Sequence, residues 1–430
     1  MKELTRLMKE LEDQLSVCMR CGMCQAVCPV FAETGRESDV ARGKLALLDG
    51  LTQELFKDPK GTFKRLNRCL LCGSCAANCP SGVNVLEIFI KARIILTGFM
   101  GLSPLQKIIF RKMLSSPQGF DRFMEWAIKF QNLFTRPDNK PLGTSHMRLV
   151  SPLIGNRHFA PLAPKPFHRI LPSLNTESNR SGIKVGFFVG CLLDKIYPRI
   201  AQAVIDVLEY HGVGVFMPEG QACCGMPAIS SGDAVTFDSL VSYNLEKFNA
   251  EKVDYIVTAC ATCTFAIRKI WPVMVRHDSS GLKRRVERLA KKTMDINRFL
   301  VSVIGIKKAG TKRDYKDLIT YHDPCHLSKS LGVSAEPRAL IQANPGCRLI
   351  EMPDADRCCG SGGSFNLQHY KISTDIGRLK RDNIITTGCS IVATGCPACM
   401  LQISDMLSKS GYTAKVKHPV EIYDEYLKSL

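Results

Sequence analysis

Two short runs of cysteine constrain this chain more than any other feature of its sequence. "CMRCGMCQAVCP" at residues 18–29 and "CLLCGSCAANCP" at residues 69–80 share the spacing C-x2-C-x2-C-x3-C, and a proline follows each last cysteine. Thiolates at this spacing hold iron–sulfur clusters, and two such runs form the bacterial two-cluster arrangement. Zinc is the alternative, but a zinc site pairs two C-x2-4-C knuckles and would leave half of these cysteines unused. The runs therefore predict two [4Fe–4S] clusters.

The distribution of the ligands follows from the reach of the chain. Three cysteines spaced by two residues surround one face of a cubane cluster, whereas the fourth lies too far along the chain and is expected to cross to the other cluster. The predicted sets are Cys18, Cys21, Cys24 and Cys79 for one cluster, and Cys69, Cys72, Cys75 and Cys28 for the other. Gly22 and Gly73 are expected to let backbone amides approach the sulfur atoms. The stretch between the runs is expected to be helical.

A longer repeat contains most of the remaining cysteines. Five cysteines recur twice in the same order, with an adjacent pair before glycine and a later C-x2-C pair, and the corresponding gaps differ by one residue. The two sets are Cys191, Cys223, Cys224, Cys260 and Cys263, and Cys325, Cys358, Cys359, Cys396 and Cys399. Apolar runs that end at a cysteine, such as "IKVGFFVGC", alternate with helical stretches such as "RIAQAVIDVLEYHG". This alternation predicts parallel α/β sheets, whose strand ends would bring each set together at one sheet edge.

The repeated pattern resembles the cysteine-rich CCG domains of heterodisulfide reductase. Together with the two N-terminal runs, the whole chain resembles the iron–sulfur subunits of glycolate oxidase and of related D-lactate dehydrogenases. The resemblance implies that a complete set of five thiolates binds a non-cubane [4Fe–4S] cluster, so one or two such clusters are expected. Zinc or an ordinary cubane cluster in these sets stays open as the alternative. A subunit of anaerobic glycerol-3-phosphate dehydrogenase and the lactate-utilisation proteins share the same plan.

The composition limits which cellular compartment and which partners are expected. The opening segment "MKELTRLMKELEDQL" carries charges of both signs, predicts an amphipathic helix and lacks the features of a signal peptide. A cytoplasmic, reducing location is therefore expected, and disulfides are the least expected use of the 20 cysteines. The formal net charge of +18 overstates the basic character, because metal-bound cysteines are thiolates. We expect a modest basic face and no nucleic-acid partner, with peripheral contact to the cytoplasmic face of the inner membrane left open.

These patterns predict an α/β protein made of four parts. They are a helical two-cluster ferredoxin-like domain (1–98), a helical connector and linker (99–180), and two tandem CCG domains with parallel sheets (181–312 and 313–430). We expect the connector helices to pack over the ferredoxin-like domain, although their mixed aromatic and basic residues also fit a membrane or partner surface.

Four further residues are not expected to be ligands. Cys347 and Cys389 lie outside the repeated pattern and are expected to be buried as small apolar residues. His322 and His326, which flank Cys325, are expected to form hydrogen bonds with nearby backbone.

The resemblance also sets the expected function. The chain contains no G-x-G-x-x-G between a strand and a helix and no P-loop. The resemblance implies that substrate oxidation takes place on a separate FAD subunit. The expected role is that of an electron-transfer subunit of a flavin-dependent glycolate or D-lactate dehydrogenase, which passes electrons to a quinone or to a soluble carrier. The alternatives are a heterodisulfide-reductase-like subunit that reduces a disulfide and a protein like the corresponding subunit of anaerobic glycerol-3-phosphate dehydrogenase. A basic nucleic-acid-binding protein with structural zinc would be colourless, and only the net charge favours it.

Overall fold

Helices build the N-terminal part of the chain, in which both cysteine runs lie. The computed structural model describes residues 2–139, 142–147, 156–248, 252–276, 280–310 and 315–430. The N-terminal helices are α1 (Lys2–Lys9), α2 (Glu12–Ser16), α3 (Met23–Val27), α4 (Pro29–Thr34), α5 (Ala41–Thr52), α6 (Lys60–Asn67), α7 (Ser74–Ala77) and α8 (Val85–Met100), with a 3₁₀ turn at Glu37–Asp39. The predicted first helix is interrupted between α1 and α2. Its apolar period is confirmed, because Leu4, Met8 and Leu11 are buried against α5 and α8.

A connector of helices and a small sheet follows. Its elements are α9 (Pro104–Lys107), a π-helical segment (Ile108–Leu114), α10 (Pro117–Phe134), β1 (Thr135–Pro137), β2 (Ser145–Met147), β3 (His158–Phe159) and α11 (Phe167–Ile170). The strands β1, β2 and β3 form an antiparallel sheet that the sequence did not predict. Each strand is too short to show the alternation of apolar and polar residues from which a strand is predicted.

Helix α10 differs from the expected packing over the N-terminal domain. None of its side chains is buried, and it packs against the π-helical segment and β1. Ion pairs hold it to the first cysteine-rich half: Lys195 bridges Asp121 of α10 and Asp194, and His168 Nδ1 lies 2.9 Å from Asp194 Oδ1. Burial opposes the charge of His168, but its hydrogen bond with Asp194 and the negative charges of Asp194 and Asp121 together outweigh burial, so the pKa of His168 is raised.

The first cysteine-rich half is built on a five-stranded sheet. Its elements are β4 (Leu174–Asn175), β5 (Lys184–Phe187), α12 (Cys191–Lys195), α13 (Pro198–Tyr210), β6 (Gly214–Met217), α14 (Met226–Ser230), α15 (Ala234–Lys247), β7 (Tyr255–Thr258), α16 (Ala261–Phe265), α17 (Trp271–Met274), α18 (Ser280–Lys292), β8 (Thr293–Asp295) and α19 (Ile296–Arg298), with π-helical segments at Ala266–Ile270 and Phe299–Val303. The strand order is β4-β6-β5-β7-β8, and all pairs are parallel except β4 with β6. The parallel α/β architecture is thereby confirmed.

The second cysteine-rich half repeats this plan with four strands. Its elements are β9 (Asp317–Tyr321), α20 (Cys325–Leu331), α21 (Ala335–Gln342), β10 (Cys347–Leu349), α22 (Ser364–Gln368), α23 (Tyr370–Ile385), β11 (Ile391–Ala393), α24 (Pro397–Lys409), β12 (Lys415–Lys417) and α25 (Pro419–Leu427). All pairs in the order β10-β9-β11-β12 are parallel. In both halves the strands end shortly before the cysteines of the set, as expected for a site at the carboxyl edge of a parallel sheet.

Two helices join the parts of the chain. Helix α25 packs against α13 of the first half, where His211 Nε2 lies 3.1 Å from the hydroxyl of Tyr423 and Val420 enters the first half's core. Helix α8 approaches the first half from the other side, because Arg93 Nη1 donates a 2.6 Å hydrogen bond to the carbonyl of Ser230. Among the described residues, no helix combines the length and apolar character needed to cross a bilayer.

Candidate iron–sulfur sites

The two N-terminal cysteine runs repeat an unusual backbone conformation. Arg20 and Leu71, at equivalent positions, have φ angles of 58° and 53°. Gly22 and Gly73, also equivalent, have φ angles of 86° and 76°. A positive φ at a residue with a side chain is strained and persists where the surroundings fix it, often at a functional site. The two loops therefore share the same backbone geometry between their first three cysteines.

The first three cysteines of the first run share a cavity with the fourth cysteine of the second run. Cys18, Cys21, Cys24 and Cys79 all line this cavity, and Cys75 also reaches it. Cys28 points to the other group, where its thiol neighbours are Cys69 and Cys72. Burial of the Cys28 thiol, opposed in part by a backbone amide, raises its pKa to about 11. The structure thus brings together the members of both crossed sets, whose role as ligands stays a prediction.

The first set of five cysteines forms a connected row of thiols. Cys191 Sγ lies 3.9 Å from Cys223 Sγ. Cys224 accepts hydrogen bonds from the thiols of Cys223 and Cys263, which lowers its pKa to about 6. Cys260 lies within hydrogen-bonding reach of Cys263. A thiol that loses its proton near neutral pH is ready to bind a metal as thiolate.

The second set has the same order and one additional neighbour. Cys325 contacts Cys358, Cys359 accepts from Cys358 and Cys399, and these two hydrogen bonds lower the pKa of Cys359. Buried His322 has a ligating nitrogen within 4.8 Å of the sulfur atoms of Cys359 and Cys399. Its Nδ1 lies 3.2 Å from the Ala355 carbonyl oxygen, whereas its Nε2 has no partner among the described residues.

His322 makes the predicted contact with nearby backbone, and it also has a ring nitrogen near the sulfur atoms of the second set. Burial lowers the pKa of His322 to about 3, so the imidazole is neutral and can act as a metal ligand. His326 makes the predicted backbone contact, because its Nε2 lies 3.2 Å from the Leu71 carbonyl oxygen. Cys347 and Cys389 are buried, also as predicted.

Two contacts join the separate cysteine groups into one row. Cys260 of the first set donates to Cys396 of the second set, which lowers the pKa of Cys396. Cys72 of the second N-terminal run lies within hydrogen-bonding reach of Cys358. The row therefore extends from the N-terminal domain through the second cysteine-rich half to the first. His326 reinforces this junction by stacking on Phe265 with ring centroids 4.4 Å apart.

Two buried lysines lie beside the thiol groups, where charged thiolates would favour their cationic form. Lys44 and Lys380 are each 2% exposed, and their ammonium groups donate to the backbone carbonyls of Asp39 and Asp354. Burial lowers the pKa of both lysines, whereas nearby cysteines, once charged, favour the cation. A buried cation needs an anionic neighbour. Thiolate-bound iron–sulfur clusters supply such charge, so the residues present fit these cofactors.

The sequence analysis missed the basic residues near the cysteines, which include Lys329 and Arg93 as well as the two buried lysines. Lys329 lies one turn after Cys325 in α20, and Arg93 interrupts the apolar run "VLEIFIKARIILTGFM" of α8. A charged residue inside such a run indicates a buried partner. In the second half, the corresponding indication is that Lys329 lies in the helix that begins at Cys325.

Comparison with known proteins supports several iron–sulfur clusters in this chain. Residues 14–83 match the family described as 4Fe-4S dicluster domain, and residues 185–268 and 319–404 match the family described as cysteine-rich domain. A probable glycolate oxidase iron-sulfur subunit of Bacillus subtilis is 28% identical over 97% of this chain and 95% of its own length. Lactate utilization protein A of Exiguobacterium sp. is 31% identical over 57% of this chain and 98% of its own length.

Two further relatives extend the comparison. A subunit of the fumarate reductase (CoM/CoB) of Methanothermobacter marburgensis is 29% identical over 96% of this chain and 72% of its own length. The crystal structure of a hypothetical protein from Helicobacter pylori superposes with a TM-score of 0.52 at 8% identity, covering 92% of this chain and 69% of that one. At this identity the likeness concerns the fold alone.

Proposed function

We propose a function from the premise that this chain belongs to the family of iron–sulfur proteins that includes lactate utilization protein A and the glycolate oxidase iron-sulfur subunit. The chain acts as the electron-transfer subunit of a flavin-dependent 2-hydroxy-acid dehydrogenase. A separate FAD subunit oxidises glycolate or D-lactate, and electrons pass through this chain to a quinone or a soluble carrier. The parts 1–98, 99–180, 181–312 and 313–430 serve as the structural units of this relay.

The continuous row of cysteines is the observation that carries the proposal. Iron–sulfur clusters bound there would take up and release electrons one at a time. The contacts Cys72–Cys358 and Cys260–Cys396 leave no intervening element between the three groups of ligands. Lys329 holds positive charge beside the thiols, which favours the more negative, reduced state of whatever they bind. Charged thiolates would favour the cationic form of Lys44 and Lys380 in the same way.

Disulfide reduction is less well supported by this arrangement. A disulfide substrate needs space between the two cysteine-rich halves, where its sulfur atoms can meet both sets. Cys260 and Cys396, which meet at that junction, are only 4% and 3% exposed. A substrate would have to separate two residues that touch, whereas electron transfer benefits from their contact.

Metal and sulfide counts on anaerobically purified protein test the proposal. Four clusters correspond to about sixteen irons per chain, whereas two clusters with zinc in the cysteine-rich halves correspond to about eight. Cys325→Ser should lose about four irons, whereas Cys389→Ser, which changes a buried cysteine outside the set, should lose none. Asp138, His146 and His158 form a separate group that could hold a metal. If zinc is found, His146→Ala shows whether it is bound at this group, because zinc in the cysteine-rich halves would be retained.

Electron transfer from the partner completes the test. Mixing the oxidised chain with its FAD subunit and either D-lactate or glycolate should produce EPR signals of reduced clusters. Cys389→Ser should behave like the unchanged protein, and Cys325→Ser should lose the signals of the second cysteine-rich half. Reduction of an added disulfide, without electron flow from a hydroxy acid, would overturn the proposal in favour of the disulfide reductase.

A further inference from the structure

A cavity of about 350 Å³ lies beside the second N-terminal cysteine run. It opens where four parts of the fold meet: α6, the end of α8 with the start of α9, the turn after α14, and α22. Its volume falls within the range of small-molecule sites, which combine apolar walls with a few polar groups that orient the ligand. The cavity is separate from the one that Cys18 and Cys79 line.

The walls of the cavity suit a flat ring that carries polar atoms at its edge. Phe63, Leu102 and Phe365 supply apolar surface. On other sides Ser231, Ser364 and Gln368 supply hydroxyl and amide groups, and the two serine hydroxyls are 3.5 Å apart. The Ser364 hydroxyl accepts from Ser231 in this pair, so its own proton can be donated to an oxygen atom of a ligand. A ring with carbonyl groups would satisfy both kinds of wall.

Two residues connect the cavity to electron transfer. Cys69, a predicted cluster ligand, forms part of the wall, so a bound ring would lie beside a residue that is expected to hold a cluster. Arg93 also lines the cavity and is 4% exposed, with Nε lacking a partner among the described residues. Its other nitrogens donate to the carbonyls of Ser230, Leu66 and Cys69. A fixed positive charge there stabilises the negative charge that a carbonyl oxygen gains on reduction.

An apolar surface adjoins the cavity. Gln106 lies on its wall, and Leu105, Ile108 and Ile109 around it are 46%, 49% and 37% exposed. The next helix, α10, adds an exposed aromatic stripe of Phe123, Trp126 and Phe130, with neighbouring rings 6.3 and 4.9 Å apart.

The charge around this surface indicates what covers it. Exposed cations there include Lys107, Lys112, Arg122 and Lys129. Exposed aromatic and aliphatic side chains flanked by lysine and arginine are typical of helices that lie on an anionic lipid bilayer. A ligand of this cavity would therefore come from the lipid phase.

We propose that the cavity binds a lipid-borne quinone, which is the electron acceptor of this chain. This inference rests on the proposed electron-transfer function. Reduced iron–sulfur centres held by the cysteine sets would supply the two electrons and be oxidised in turn, and two protons would come from water. The quinone takes up both, and its two C=O groups become C–OH. Arg93, Ser231 and Ser364 bind and orient the ring, and Phe63 and Phe365 hold it between them.

The test uses the loaded protein and duroquinone, whose fully substituted ring does not alkylate cysteine. Two substitutions each fill the cavity: Ser364→Phe, and Ser231→Leu at the neighbouring serine. Leu367→Phe is the matched control, because Leu367 lies on the same short helix, is 65% exposed and does not line the cavity. Two quantities are measured: the dissociation constant of duroquinone, and the rate at which it reoxidises the reduced protein. Ferricyanide, which accepts electrons without a binding site, provides the reference rate.

Both cavity-filling variants should weaken duroquinone binding and slow reoxidation by about tenfold or more. Ferricyanide rates should stay unchanged, and Leu367→Phe should match the unchanged protein. Equal duroquinone affinities in all variants would overturn the cavity assignment without affecting the proposed function. Failure of the FAD subunit to reduce the chain would instead overturn the proposed function.

The lipid source of the quinone is tested separately. Trp126→Glu should slow reoxidation by a long-chain naphthoquinone in phosphatidylglycerol vesicles and leave the rate with dissolved duroquinone unchanged. An equal rate with vesicles would overturn the bilayer as the source.

Discussion

Lys329 should raise the reduction potential of the centres that it adjoins, and Lys329→Met should lower it. Its ammonium donates a 2.8 Å hydrogen bond to Ser74 Oγ, which lies 3.4 Å from Cys72 Sγ. These contacts in series place the ammonium no more than about 6 Å from that sulfur. Burial opposes the charge of Lys329, but Cys325 and Cys72 together outweigh burial, so its pKa is raised and it remains a cation at neutral pH.

The magnitude follows from Coulomb's law. A unit charge 6 Å away at an effective dielectric constant of 20 contributes about 3 kcal/mol, which corresponds to roughly 120 mV for a one-electron couple. Asp356 offsets part of this, with its carboxylate 3.6 Å from the ammonium, but it is 65% exposed and therefore screened. We expect Lys329→Met to lower the potential by about 50 to 100 mV.

An EPR-monitored redox titration under anaerobic conditions measures this shift. Lys371→Met serves as the control, because that side chain belongs to the same half of the protein and is 90% exposed. Iron content is measured in parallel, so that loss of a cluster is not mistaken for a change in potential. A shift below roughly 10 mV in a fully loaded Lys329→Met protein would refute the electrostatic reasoning, since it would require a far higher local dielectric constant.

Three further predictions concern the fold and the ligands. Gly360 has a φ angle of 90°, and a Cβ added there would lie 2.5 Å from a backbone oxygen. Gly360→Ala should therefore lower the melting temperature and the iron content. Gly388→Ala is the control, and it should lower the melting temperature much less, because the space around Gly388 is open. His168→Gln should destabilise the protein at about pH 5.5 but little at about pH 8, because a raised pKa gives stability at low pH that is lost as the pH rises through it; an equal loss at both pH values would contradict this. Cys28→Ser should remove the EPR signal of the cluster assigned to the second N-terminal run, and Cys347→Ser should remove none; loss of the first run's signal instead would contradict the crossed arrangement.

The sequence predicted what depends on local pattern. Cys191 and Cys325 each follow an apolar run, and both runs form strands whose ends bring the thiols together. The spacing in the N-terminal runs likewise predicted the grouping of Cys79 with the first run, because chain reach limits where a fourth ligand can lie. Such features repeat within the chain, so one copy supports the interpretation of the other.

Other features depend on how distant segments pack, and the sequence could not reveal them. The contact between Cys260 and Cys396 is set by the placement of one half against the other, which no local pattern encodes. Lys329 resembles any basic residue until α20 is seen beside α7. The apolar residues of α10 recur at a helical period, which fits a helix packed on the domain as well as one with an exposed apolar face. The surrounding elements determine which of the two it is.

The packing of α25 on α13 affects the order in which the protein can mature. Helix α13 is synthesised early, but Val420 and Tyr423, which complete the core around it, are synthesised long after it. During synthesis the first cysteine-rich half therefore exposes apolar surface that its own segment cannot cover. We expect its cysteines to reach their final positions only when both halves are present, so metal delivery to this half should follow translation of the second half. Ribosome-bound chains that stop before residue 419 should accordingly hold iron in the N-terminal runs and not in the first cysteine-rich set.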